Sequence, residues 1–143
     1  MSKGLRSVTG HAFLVTVLRV AFGVTIFNAG LHHFLQGPAA FGFLGFVGTA
    51  VGSWVLANAS FMWPLVVISM WLTGISLIFG ILARLGSVAQ FLFALFFILG
   101  ALSWIGNLAM LGVAIGFIIV GPGRYYGVDS YLLEKYKWLK YLA

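Results

Sequence analysis

Residues 12–35 read AFLVTVLRVAFGVTIFNAGLHHFL, an apolar run interrupted by one charge, Arg19. A transmembrane helix needs about 20 largely apolar residues, and this stretch supplies them. A secretory signal has an apolar core of only about 7–15 residues and a small-residue cleavage site. The stretch is longer than that and no such site stands out, so it reads as a retained first span. Gln36-Gly37-Pro38 closes it, because proline disfavours helix in the residue before it.

Three further apolar runs follow. The second extends from about Phe61 to Leu82, with Pro64 in its first turn, where proline is tolerated. Arg84 and Gly86 close it. The third covers about 87–105 and is rich in Phe and Leu; Gly106-Asn107 reads as a tight turn. The fourth, about 108–120, is stopped by Gly121-Pro122-Gly123. The expectation is an all-α integral membrane fold, a single domain over 1–143, built as a four-transmembrane-helix bundle with spans at about 11–35, 61–82, 87–105 and 108–120.

Two segments fall outside the spans. Residues 39–59 carry Gly42, Gly45, Gly48 and Gly52 at spacings of three or four, which lines them along one helix face. That face suits close helix packing or a re-entrant or interfacial helix, and the latter is expected here. A fifth full span would place the termini on opposite sides. In the tail, 124–143, Tyr125, Tyr126, Tyr131, Tyr136, Trp138 and Tyr141 alternate with Lys135, Lys137 and Lys140. Rings and basic heads together suit the headgroup layer, so the tail is expected to be an amphipathic interfacial helix, anchoring the chain or docking a partner.

Composition agrees. The chain is 62% hydrophobic and 7% charged, against roughly 45–50% and 25% for a soluble domain. Mean hydropathy is +1.11. Eight basic and two acidic residues give a net charge of +6, but the basic residues sit at span ends, so nucleic acid is not the expected partner. With no cysteine, disulfides, thiolate metal sites and thiol catalysis by this chain are excluded. In the four-span reading Lys3, Arg6, Arg84, Arg124, Lys135, Lys137 and Lys140 share one side, while 36–60 and Asn107 on the other carry no charge. The positive-inside rule then puts both termini in the cytoplasm.

Few residues could carry chemistry inside the membrane. Arg19 lies about eight residues into the first span, on the order of 12 Å along a helix. A charge at the centre of the bilayer costs roughly 2.5–3.5 kcal/mol or more. Arg19 either snorkels to the near interface, pairing with Asp129 or Glu134, or contacts an anion, quinone or carboxylate. Asn28 and His32 share a face at i and i+4, and His33 adjoins them. A neutral imidazole can bind a quinone carbonyl, relay a proton or ligate metal; otherwise these histidines face headgroups or water. Arg19, His32 and His33 are the candidate catalytic residues. Asn28, His32, His33 and Trp71 are the candidate quinone contacts. Trp54, Trp63 and Trp104 fit an aromatic belt, whereas Trp71 lies deeper. No metal site is expected, and quinone is the one cofactor considered. Both acids, Asp129 and Glu134, lie in the tail, which disfavours a pump built on membrane carboxylates.

Three stretches resemble the DoxX/DoxD family of small four-helix membrane proteins. They are Leu18-Arg19-Val20 with Gly23 and Asn28-Ala29-Gly30-Leu31-His32-His33-Phe34; Gly74-Ile75-Ser76-Leu77-Ile78-Phe79-Gly80-Ile81-Leu82-Ala83-Arg84-Leu85; and Gly121-Pro122-Gly123-Arg124-Tyr125-Tyr126-Gly127-Val128-Asp129. The family's second helix often carries a Glu; here Ser69-Met70-Trp71-Leu72-Thr73 has no acid. The resemblance implies the plasma membrane of a prokaryote and one of two roles. One is an accessory membrane subunit of a respiratory oxidoreductase, structural or quinone-contacting, without redox centres of its own. The other is a DoxD-like catalytic subunit of thiosulfate:quinone oxidoreductase. A small transporter or channel component is a third reading. Lipid, other subunits of the complex and a second copy of the chain are the expected partners.

Overall fold

The computed structural model describes residues 2–42, 49–100, 105–136, 138, 141 and 142. Six helices are found there: α1 (Ser2–Gln36), α2 (Ala50–Ala57), α3 (Ala59–Phe79), α4 (Ala83–Gly100), α5 (Ile105–Val120) and α6 (Val128–Lys135). Short 3-10 turns occupy Gly37–Phe41 and Pro122–Arg124. No strand occurs among the described residues.

Residues Gly10–Phe41 and Ala59–Phe79 are long and apolar enough to cross a membrane, and Ala83–Leu99 and Gly106–Val120 are shorter apolar helices. The 35 residues of α1 make it about 52 Å long at 1.5 Å per residue. That exceeds a hydrocarbon layer of about 30 Å, so the helix begins well before the expected start near residue 11. Large apolar side chains cover the outside, among them Phe13, Leu35, Leu72 and Ile119. A monomeric soluble protein rarely shows so continuous an apolar surface.

The helices pack as two close pairs, α1 with α3 and α4 with α5, and α3 meets α4 less intimately. The α1–α3 contact is backbone to backbone. A Cβ on Gly23 would lie 2.8 Å from Ile78 N, and one on Gly74 would lie 2.7 Å from Phe27 Cβ. Small residues permit this approach where lipid offers no hydrophobic drive. Ile26, Val66, Met70, Leu77, Ala83 and Phe117 form the buried core.

Several boundaries differ from the sequence reading. The second span ends at Phe79, not near Leu82, because Gly80 takes the left-handed conformation (φ 66°, ψ 42°) and stops the helix. The third starts at Ala83, so Arg84 sits in its first turn and does not close the second. Pro64 falls inside α3, a turn later than expected, because the helix begins at Ala59; its missing N–H leaves one backbone bond unmade. Gly106 and Asn107 lie within α5 and are no turn. In the 39–59 segment the structure shows a 3-10 turn and the short α2, capped by Thr49 Oγ1 accepting from Gly52 N–H at 3.0 Å. Gly45 and Gly48 lie outside the described residues. In the tail, the helical part is α6; Lys137, Leu139 and Lys140 are also outside them.

Candidate functional site

Among the described residues, the two buried charges lie at the end of the bundle that carries Arg84, Arg124 and Lys135. This end is called the basic end below. Arg19 on α1 and Asp129 on α6 are each 1% exposed. Side chains on a helix lean toward its N-terminus, so Arg19 reaches back toward the basic end. Its guanidinium packs on Gly80, where a Cβ would lie 2.7 Å from Arg19 Cζ. Arg19 is therefore level with the end of α3.

Asp129 is held by backbone. Oδ1 accepts from Leu82 N–H at 2.7 Å and Oδ2 from Ala83 N–H at 2.9 Å, while Asp129 N–H donates to the Gly80 carbonyl at 2.8 Å. Leu142 continues the pattern, its carbonyl accepting from Arg84 N–H at 3.1 Å and Leu85 N–H at 3.3 Å. Four consecutive N–H groups at the start of α4 thus find partners in the C-terminal segment. A helix start leaves such donors unmet unless something caps it. Here the cap comes from residues far along the chain, and its carboxylate also faces the positive end of the helix dipole. The turn it secures is strained, since Leu82 has φ 51° without being glycine.

Arg19 is less fully satisfied. Nη2 donates to the Tyr126 carbonyl at a long 3.5 Å, and Nε and Nη1 have no hydrogen-bond partner among the described residues. The Asp129 carboxylate oxygens are held by the Leu82 and Ala83 N–H groups. Of the two acids considered as partners for Arg19, the structure brings up Asp129. Thr16 Oγ1 donates to the Tyr125 carbonyl at 3.0 Å, and His11 meets the Tyr125 ring edge-on at 6.0 Å. Tail, α1 and the α3–α4 turn are thereby joined in one clasp.

The other candidates lie elsewhere. His32 and His33 follow Arg19 by thirteen and fourteen residues on the same helix, about 20 Å away at 1.5 Å per residue. His32 is exposed, 2.9 Å from Gln36 Nε2. His33 is half-buried and stacks on Phe41 at 6.2 Å; its carbonyl accepts from Trp63 Nε1 at 2.8 Å. Asn28 is exposed. Trp71 packs against Phe27 and Phe34, at 6.2 and 5.3 Å between ring centroids, and its indole N–H has no partner among the described residues. Asn28 and His32 thus face outward while His33 and Trp71 contact other rings. The structure does not gather the four around a common cavity. Trp54 is exposed, and Trp104 lies outside the described residues. No group of three or more His, Asp or Glu able to hold a metal occurs among the described residues.

A cavity of about 780 Å³ opens between α3 and α4. Its lining is apolar except for Ser69, Thr73 and Ser76, and none of Arg19, Asn28, His32, His33 and Trp71 reaches it. A second polar group missed by sequence reading is Gln90, 3% exposed between α4 and α5, with Nε2 3.6 Å from Met110 Sδ and no partner for Oε1 among the described residues. Hydroxyls and amides in apolar runs are the one available signal for such groups.

An apolar helical bundle with a buried Arg–Asp clasp at one end defines a small helical membrane protein. The chain belongs to the DoxX family, whose profile matches residues 14–99 of 143. That stretch covers α2, α3 and nearly all of α4, together with α1 from Leu14 on. No curated protein and no solved structure matches the chain.

Proposed function

We propose that the chain is a DoxX-like membrane subunit of a respiratory oxidoreductase assembly, structural or quinone-contacting, with no redox centre of its own. It crosses the plasma membrane of a prokaryote four times, with both termini in the cytoplasm. The short α4 and α5 serve as the third and fourth spans, and the segment at 39–59 lies in or on the outer leaflet. The charge pattern supports this topology, since basic residues cluster at one end and the other is neutral.

The observation that carries the reading is the clasp. It fixes a basic, aromatic tail onto the bundle, with Tyr126, Tyr131, Trp138 and Tyr141 all exposed. A rigid platform of that kind suits docking against headgroups and neighbouring subunits. The catalytic DoxD-like reading has less support, because Arg19 and the two histidines are about 20 Å apart. No observation favours a transporter or channel.

Purification of the chain from its native membrane in mild detergent tests the proposal. Oxidase or cytochrome subunits should accompany it, and the isolated chain should not reduce decylubiquinone with thiosulfate. Thiosulfate-dependent reduction by the chain alone, lost in Arg19→Ala or His32→Ala, would overturn it.

A further inference from the structure

The basic end carries more charge than the clasp uses. We propose that it is a binding surface for anionic phospholipids, which it gathers from the surrounding leaflet by their phosphodiester headgroups. The inference rests on the headgroup-docking part of the reading above and commits it to one class of lipid.

The charge balance comes first. The clasp takes up one charge of each sign, Arg19 and Asp129, both 1% exposed. The chain has eight basic and two acidic residues. Seven basic residues and Glu134 therefore remain, and the whole net charge of +6 lies outside the clasp. Asp129 is turned inward onto the Leu82 and Ala83 N–H groups. An acid that would otherwise offset the neighbouring cations is thereby removed from the surface.

The fold then brings cations from separate segments together. Arg84 directly follows Ala83, whose N–H Asp129 holds at 2.9 Å. Arg124 ends the turn Pro122–Arg124, which packs on α1 and α4. Lys135 closes α6 six residues after Asp129, about 9 Å along the helix. That spacing is close to the Debye length of about 8 Å at physiological ionic strength, so the cations act as one patch. Arg124 and Lys135 are exposed and Arg84 is half-buried.

The rings identify the partner as lipid. Tyr126, Tyr131, Trp138 and Tyr141 are 64–72% exposed. Such rings have an apolar body and a polar tip, and they settle where acyl chains meet headgroups. The Leu142 carbonyl, accepting from Arg84 and Leu85 N–H, ties the end of the chain to the start of α4. The rings are thus held where the apolar helices α3 and α4 end. The Lys135 ammonium lies 5.6 Å from the centroid of the Tyr136 ring, so cation and ring occupy the same place. An acidic protein would meet the charge but leave the ring bodies without an acyl boundary. A zwitterionic lipid would meet the rings but bring no net charge. An anionic phospholipid meets both, and each basic residue near such a surface is worth about fivefold in affinity.

The test uses the full chain in phosphatidylcholine vesicles, with trace spin-labelled phosphatidylglycerol or phosphatidylcholine as the probe. The motionally restricted fraction of each probe gives its relative affinity. Phosphatidylglycerol should be preferred about fivefold or more in low salt. The preference should fall below about twofold near 1 M salt, where the Debye length is about 3 Å. Arg84→Gln/Arg124→Gln/Lys135→Gln should lower it about threefold or more, whereas Arg84→Lys/Arg124→Lys should keep it. Unchanged size-exclusion profiles and melting temperatures would show that these variants fold. In native membranes Tyr131→p-benzoylphenylalanine should crosslink to phospholipid. Equal affinity for the two probes, a preference that survives neutralisation or high salt, or crosslinks to protein alone would each overturn the inference. Co-purification tests the assembly reading separately, so a missing lipid preference beside intact partner subunits would sink this inference alone.

Discussion

Removing the Asp129 carboxylate should destabilise the protein more than any other single polar substitution. In Asp129→Ala the part-buried Leu82 N–H and the buried Ala83 N–H lose the acceptors now at 2.7 and 2.9 Å. Loss of a helix cap alone costs about 0.5–2 kcal/mol. The larger effect falls on Arg19, whose guanidinium stays 1% exposed with its balancing charge gone. Breaking a direct buried ion pair from one side costs about 3–5 kcal/mol; here the Asp129 oxygens are held by backbone N–H groups, so that figure is the upper end, and replacing both charges by apolar groups is often neutral. Asp129→Ala should therefore lower stability by about 2–5 kcal/mol, or roughly 4–20 °C in melting temperature at 2–4 °C per kcal/mol. Asp129→Ala/Arg19→Met should recover at least half of the loss. Thermal melting in detergent measures the totals, and a double-mutant cycle isolates the coupling. Amide exchange at Leu82 and Ala83 reports the cap directly. A cycle with coupling below about 0.5 kcal/mol, or no faster exchange in Asp129→Ala, would refute the clasp as argued.

Deleting residues 137–143 should speed amide exchange at Arg84 and Leu85, which donate to the Leu142 carbonyl. Leu82 and Ala83 should stay protected by Asp129; uniform loss across all four would contradict the divided cap. Gly80→Ala should cost about 1–3 kcal/mol from its φ of 66° alone, and more because the new methyl meets the Arg19 guanidinium. A melting temperature within 2 °C of the parent would refute that geometry. Because the chain lacks cysteine, single-cysteine labelling can read its topology. In intact cells an impermeant maleimide should modify Ala39→Cys, whereas Glu134→Cys should react only after the membrane is opened; the reverse order would overturn the cytoplasmic tail.

Much of this fold was legible because its main signal is bulk. Long apolar runs need only hydropathy to be seen, and residues 12–35 identify α1 without any contact information. The helix ends were less legible. Gly86 and the Gly106-Asn107 pair looked like stops, yet both lie inside helices, while Gly80 was the true stop. A glycine ends a helix only where the chain takes up its left-handed conformation, and composition does not reveal which glycine does so. The clasp was half visible. Asp129 could be named as a partner for Arg19 because the chain has only two acids. Its role as a cap for α4 could not, since donors and acceptor are 46 and 47 residues apart.

The clasp and the cavity between α3 and α4 share one element, the turn from Gly80 to Leu82. Ile81 and Leu82 line the basic end of the cavity, and Leu82 N–H is held by Asp129. Ser76 Oγ ties the same turn back to α3 through the Ile81 carbonyl. The α3–α4 packing is less extensive than that within the α1–α3 and α4–α5 pairs, so this turn contributes to setting the separation of the two walls. A buried charge pair is weak evidence for stability in itself, because apolar residues can often do as well. Its value here is positional. It holds a strained, non-glycine backbone conformation at Leu82 that no apolar contact would select, and that conformation fixes where α4 departs from α3. The polar residues at the basic end thereby help to shape an apolar cavity deeper in the bundle. That arrangement explains why so hydrophobic a chain keeps an arginine and an aspartate where neither meets water.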